Sequence, residues 1–265
     1  MQYRLGIIGC GNMAQAIAGG AIKRGVLDPK DIIASDPSDT NRDVFTQWGC
    51  ATTAENSDVV QQADQILLAV KPQIFVQVGP QLSSCTDDQI LISIMAGLSS
   101  EKIASLAGKP CRIVRVMPNT PALVGEGMAG IALGGSAKQG DDALAKQLFA
   151  AVGKIVELDE PMIDAINAIS GSGPAYLFYL AEAMERAAID LGLGDHARQI
   201  VAQTLMGSGK LLAESGEDPA ELRRKVTSPG GTTLAASNCL DAKQVHSSII
   251  EAINAAFARA KELGS

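Results

Sequence analysis

At 265 residues and 46% hydrophobic, the chain is long enough for one large domain or two of ordinary size around a substantial core. Only 3% of it is aromatic while glycine contributes 27 residues, a composition that suits close helix-to-sheet packing and disfavours an all-β sandwich. A formal charge of −7 without a run of Lys or Arg disfavours nucleic acid as a partner. Five scattered cysteines (Cys10, Cys50, Cys85, Cys111, Cys239) with no C-x-x-C pair disfavour a disulfide framework and a zinc site, so no metal is expected and a reducing cytoplasm fits best.

The stretch from Leu5 to Ile22 has the apolar character of a signal-peptide core after Arg4, but Gly6, Gly9, Gly11, Asn12 and Gln15 interrupt it where a strand, a tight turn and a helix would. The N-terminus is therefore expected to be retained, in a soluble protein without a membrane segment. From there short Ile/Leu/Val-rich runs alternate with helical patterns. Tyr3–Ile8, Ile32–Ser35, Gln65–Val70, Gln89–Ile94 and Arg112–Met117 read as buried parallel strands. Ala14–Arg24, Thr40–Trp48, Ser57–Gln62, Ile74–Leu82 and Glu101–Leu106 fill the crossover positions of β-α-β units. Met128–Leu133 and Lys154–Glu157 add two strands around a helix near Asp142–Val152.

After Pro161 the alternation stops. Pro174–Leu191 is apolar on nearly every side, which marks a buried helix, and Arg198–Leu212, Ala220–Val226, Thr233–Cys239 and Ser247–Leu263 continue the helical pattern. The expected fold class is α/β: an N-terminal doubly wound, mostly parallel sheet over residues 1–162, then an all-helical domain over 163–265. So apolar a helix finds burial more readily against a second subunit than alone.

Gly9-Cys10-Gly11-Asn12-Met13-Ala14 is a G-x-G-x-x-A turn between the first strand and the first helix. Gly9 permits the tight turn, Gly11 the approach of a pyrophosphate to the helix N-terminus, and Ala14 close packing of helix on strand, as in Rossmann-type dinucleotide sites. At the end of the second strand, Asp36 stands where an acid accepts from a free ribose hydroxyl, favouring NAD(H). Ser35, Ser38, Asn41 and Arg42 are suited instead to a 2′-phosphate, and an Asx-turn or helix cap is an equal alternative for Asp36. Ala69-Val70-Lys71-Pro72, Met95-Ala96 and Pro118-Asn119 end three further strands and make a floor for a nicotinamide, with Lys71 in a positioning or phosphate-contact role. In the helical half, Ser170-Gly171-Ser172-Gly173-Pro174 and Ser228-Pro229-Gly230-Gly231-Thr232-Thr233 precede helices and offer N–H donors to a carboxylate. His196 and His246 read as surface residues. A site of hydroxyls and amides without a base fits a substrate that already carries its proton, such as a cyclic iminium that takes hydride directly.

The turn Gly9–Ala14, Ala69–Pro72, Met117–Pro121, Ser170–Ala175 and Val226–Thr233, in this order and spacing across essentially the whole chain, resemble pyrroline-5-carboxylate reductase. The resemblance implies reduction of pyrroline-5-carboxylate to L-proline by NADPH or NADH, the last step of proline biosynthesis. It implies a cytoplasmic homodimer joined through the helical domains and assembled into a decamer. It further implies Thr233 and Ser228 as catalytic residues, Gly230, Gly231, Thr232, Asn119 and Ser172 as further substrate contacts, and Asn56 at the adenosine end of the cofactor. Asp36 departs from the hydroxyl residue that some relatives carry there, so the choice between NADPH and NADH stays open. Two other readings are a β-hydroxyacid dehydrogenase, disfavoured because Pro174–Leu191 has no lysine, and a dinucleotide-sensing protein without turnover.

Overall fold

A computed structural model describes residues 2–264. Its centre is one sheet in the order β3-β2-β1-β4-β5-β6-β7-β8, formed by β1 (Tyr3–Ile8), β2 (Ile32–Ser35), β3 (Ala51–Thr53), β4 (Ala63–Leu68), β5 (Ile90–Ser93), β6 (Arg112–Met117), β7 (Gly127–Leu133) and β8 (Gly153–Glu157). Every neighbouring pair is parallel except β6 with β7. The chain reverses direction across the sheet between β1 and β4, and a doubly wound sheet opens its ligand crevice at the carboxyl ends of the strands there.

The crossover helices are α1 (Asn12–Lys23), α2 (Asp39–Gln47), α3 (Asn56–Gln62), α4 (Pro72–Val78), α5 (Ser100–Ala107) and α6 (Ala143–Ala150). Helix α1 buries Ala14, Ile17, Ala18 and Ala21, the i, i+3, i+4, i+7 stripe of an amphipathic helix. With Leu5, Ile7, Leu67, Leu148 and Phe149 they make the core on one sheet face. Ile8, Val59, Ile66, Phe75, Leu91 and Ile103 make the core on the other.

Three local differences from the expected elements have physical causes. Strand β3 falls in no expected run, because three half-buried residues carry too little apolar pattern to register. The strand expected at Gln65–Val70 ends at Leu68, since Ala69 and Val70 already turn towards Pro72. The helix expected over Ile74–Leu82 stops at Val78 and tightens into a 3₁₀ segment, Gly79–Ser84, whose Pro80 has no N–H to continue an α-helical ladder.

After β8 the described residues form helices and no further strand: α7 (Ile163–Ile166), a π-turn over Asn167–Gly171, α8 (Gly173–Asp190), α9 (Ala197–Ser215), α10 (Pro219–Lys225), α11 (Thr232–Ala242) and α12 (Val245–Gly264). The fold divides into two compact units. One ends at Ser172 and takes back the chain from Ala256; the other runs Gly173–Ala255. In the second unit Leu177, Phe178, Tyr179 and Leu180 of α8 stand exposed, with Phe178 at 63% and Tyr179 at 78%. Among the described residues no helix is long and apolar enough to cross a membrane.

Candidate active site

The register of the sheet brings the expected cofactor residues to one edge. Ile8 pairs with Ser35 on one side and Leu68 on the other. Gly9 N donates to Ser35 O at 2.8 Å, Ala69 N to Ile8 O at 2.9 Å and Ile94 N to Leu68 O at 3.2 Å. The loops after β1, β2, β4 and β5 therefore leave the sheet side by side.

Gly9 has φ +98°, and a Cβ on it would meet Ala69 O at 2.9 Å, so only glycine allows this turn. Gly11 is the N-cap of α1, no side chain caps the helix, and the space where a Cβ would stand is open. The first amides of α1, those of Asn12, Met13 and Ala14, thus lack intrahelical partners at the positive end of the helix, beside an unfilled surface. This geometry fits a pyrophosphate.

Asp36 is almost fully buried. Its Oδ2 accepts from Cys10 N at 2.8 Å, and its Oδ1 accepts from Ser38 N at 2.9 Å and Asn41 Nδ2 at 3.2 Å. The Ser38 bond closes the Asx-turn that the sequence left as an alternative, and the Cys10 bond ties the glycine turn to the β2 end. Arg42 donates to Asp36 O and pairs with Asp39, leaving its guanidinium along the same turn. Burial first, and the Asp36 charge second, push the Cys10 thiol up to about 12, so it stays a neutral thiol packed under the turn.

Ser35 corrects an expectation. It is fully buried, with its hydroxyl 2.7 Å from Asn56 Oδ1 and 3.3 Å from Ile7 O, so it faces inward and holds Asn56 instead of presenting a donor at the surface. Asn56, the first residue of α3, is half-buried and donates from Nδ2 to Gln81 Oε1 at 2.9 Å. Lys71 is exposed at the N-cap of α4 and Pro72 opens that helix. Met95 is buried, so in the β5 loop the half-buried Ala96 is the more open of the pair.

At the β6 end Pro118 is buried and Asn119 is a bridge: Oδ1 accepts from Met128 N at 2.8 Å and Nδ2 donates to Ser170 Oγ at 3.1 Å. Ser172 N closes the π-turn on Asn167 O at 2.8 Å, and such turns recur at functional sites. The fold thereby joins Asn119 to the Ser170–Ser172 segment, fifty-odd residues away in sequence.

In the second unit, Gly230 has φ +71°, Gly231 N donates to Ser228 O at 3.1 Å, and Gly231 N-caps α11 without a side-chain cap. A Cβ on Gly231 would meet Ser228 Oγ at 2.4 Å, so the Ser228 hydroxyl lies over this glycine. The amides of Thr232 and Thr233 open α11, a second helix start with free donors. His196 and His246 are exposed.

The comparisons decide the family. Residues 160–263 match the pyrroline-5-carboxylate reductase dimerisation model, and residues 4–97 match a model described as NADP oxidoreductase, coenzyme F420-dependent. Pyrroline-5-carboxylate reductase of Haemophilus influenzae is 41% identical, with 99% of this chain and 98% of that protein covered; that of Arabidopsis thaliana is 38% identical, covering 98% and 95%. The chain belongs to the pyrroline-5-carboxylate reductase family. Among solved structures of the family, the Coxiella burnetii enzyme aligns at TM-score 0.90 and 36% identity over 100% of both chains. The Plasmodium falciparum enzyme, with NADP bound, aligns at 0.89 and 30%, also over 100% of both. A 3-hydroxyisobutyrate dehydrogenase of Mycobacterium tuberculosis, at 13% identity and TM-score 0.54 over 77% of this chain and 71% of that one, shares the fold alone. As a family member the chain is an NAD(P)H-dependent oxidoreductase that forms homo-oligomers through its helical region.

Two polar residues beside the site escaped the sequence reading. Arg115 is a buried charge inside the apolar run Arg112–Met117, which was the available signal; its carboxylate partner Glu160 had none.

Proposed function

We propose that this protein reduces 1-pyrroline-5-carboxylate to L-proline in the cytoplasm, with residues 1–162 holding NAD(P)H and 163–265 providing the substrate contacts and the dimer, and with dimers assembled into a decamer. Support comes from full-length similarity to the family. The observation that carries the chemistry is the pair of uncapped helix starts: α1 on the sheet unit for a pyrophosphate, and α11 on the helical unit for a smaller anion.

The amides of Asn12, Met13 and Ala14 would hold the pyrophosphate, Asn56 and the Ser38–Arg42 turn the adenosine end, and Val70, Lys71, Ala96 and Pro118 the nicotinamide end. When bound, the nicotinamide supplies the electron pair that reduces the C=N bond. Gly230 and Thr232 offer backbone donors to the substrate carboxylate, Gly231, whose N–H is taken by Ser228 O, shapes the turn between them, and Thr233 Oγ1 steadies the ring nitrogen with Ser228 beside it. Asn119 and Ser172 border the ring. The substrate arrives as an iminium, so the chain aligns and desolvates it and no side chain has to remove a proton.

The test is oxidation of NADPH and of NADH by the purified protein with 1-pyrroline-5-carboxylate against a panel of β-hydroxy and β-keto acids. Oxidation with the imine alone is expected. No oxidation above background with either cofactor refutes the proposal.

A further inference from the structure

Residues 94–99 join β5 to α5. The proposed function gives this loop the nicotinamide end of the cofactor, and a positioning role for its neighbours rests on that reading. The α5 end of the loop and its middle are both held by the segment that matches the family's dimerisation region, residues 160–263. At the α5 end, Glu160 takes both donors of Ser100: Oε1 accepts from the backbone N and Oε2 from the hydroxyl, each at 2.7 Å. Ser100 is the first residue of α5, so its N–H has no partner inside the helix and a carboxylate there also meets the positive helix end. Glu160 is held in turn by Arg115, whose Nη1 lies 3.4 Å from Oε1. The other terminal nitrogen of this buried guanidinium makes no hydrogen bond and lies 3.7 Å from Asp164 Oδ1.

In the middle of the loop, Gly97 has φ +79° and is buried. A Cβ on it would stand 2.8 Å from Leu263 Cβ and 3.7 Å from Ala260 O. Ala260, 2% exposed, is the one buried residue among those described in α12. The last turn of α12 therefore rests on the loop at the point where only glycine leaves room for it.

We propose that Glu160 and the last turn of α12 are positioning elements, fixing the β5–α5 loop at the height from which it supports the nicotinamide. The segment that binds the partner subunit then also sets the reactive end of the cofactor. Loops lack a strand ladder of their own and move more than the elements they join, and a displacement of about 1 Å near reacting atoms costs on the order of 10²-fold in rate.

The experiment compares wild type with Glu160→Ala, Glu160→Gln and Ala260→Leu in the full chain. Three quantities are read: kcat with 1-pyrroline-5-carboxylate, affinity for ADP-ribose, which lacks the nicotinamide, and subunit mass in solution. Glu160→Ala and Ala260→Leu are expected to lower kcat by roughly 10- to 100-fold while ADP-ribose affinity and mass stay as in wild type. Glu160→Gln keeps a carbonyl oxygen for Ser100 N and should recover most of the rate. An unchanged kcat in Glu160→Ala, a parallel loss of ADP-ribose affinity, or dissociation overturns the proposal. If Glu160→Ala does not fold, Ser100→Ala removes one of the two bonds and should show the same pattern at smaller amplitude; an unchanged kcat there overturns it too. Failure of the wild type to turn over the imine would instead overturn the proposed function.

Discussion

Replacing Asp36 with alanine separates a structural carboxylate from a ribose contact. Three donors converge on it: Cys10 N at 2.8 Å in the interior, and Ser38 N at 2.9 Å and Asn41 Nδ2 at 3.2 Å nearer the surface. A hydrogen bond to a charged group contributes about 1.5–3 kcal/mol, and the buried Cys10 amide has no water to turn to when its acceptor is removed. The two outer donors can be rehydrated and add about 0.5 kcal/mol each, for a total of about 3 kcal/mol. In a chain of this size that lowers the Tm by roughly 6–12 °C. The assay is thermal unfolding without cofactor, beside Michaelis constants for NADPH and NADH on Asp36→Ala and Asp36→Ser. Removing the carboxylate also removes a negative charge beside Ser38, Asn41 and Arg42, so Asp36→Ser should lower the KM for NADPH relative to NADH. A Tm within about 2 °C of wild type, combined with a selective loss of NADH affinity, would show that Asp36 reads the ribose and does not hold the turn.

Thr233→Ala should lower kcat/KM by roughly 10- to 100-fold through loss of one hydrogen bond to a charged partner, with Thr233→Ser retaining most activity; a fully active but less stable alanine variant refutes the catalytic role. Leu180, 47% exposed on α8, should lie in the subunit interface, so Leu180→Asp is expected to dissociate or unfold the protein, and a folded variant of native mass by light scattering contradicts this. Burial pushes the Cys10 thiol up to about 12 and those of Cys50 and Cys85 up to about 11. A thiol titrates near pH 8.5 in the unfolded chain, so below about that pH the buried thiols contribute their full stability, which is lost as pH rises through the folded values. Denaturant midpoints should therefore fall above about pH 9, more gently in Cys10→Ala; equal slopes in variant and parent would refute the assignment.

How much of the fold and site was legible in sequence depended on the distance over which each residue finds its partner. The Gly9–Ala14 turn was readable because strand, turn and helix are contiguous and each glycine answers a local steric demand. The Thr232-Thr233 start of α11 was readable for the same reason. Strand β3 was not, since three residues at a sheet edge carry no period. Ser35 and Asp36 were placed at the correct strand end, but whether each faces ligand or interior is set by Asn56 and Cys10, 21 and 26 residues away. Sequence spacing says nothing about such pairings.

The charged cluster at Glu160 was invisible for the same physical reason. A lone Arg in an apolar strand signals a buried ion pair, because an unpaired guanidinium in the core costs several kcal/mol. It does not say which of 29 acidic residues answers it. Only the pairing of β6 with β5, which sets Arg115 opposite Ser93, brings Arg115 towards the loop that leaves β5. The chain after β8 then delivers Glu160 to both. Local pattern reaches the turns and helix starts, while the residues that hold them in place, Arg115 and Glu160 among them, emerge from the topology of the sheet.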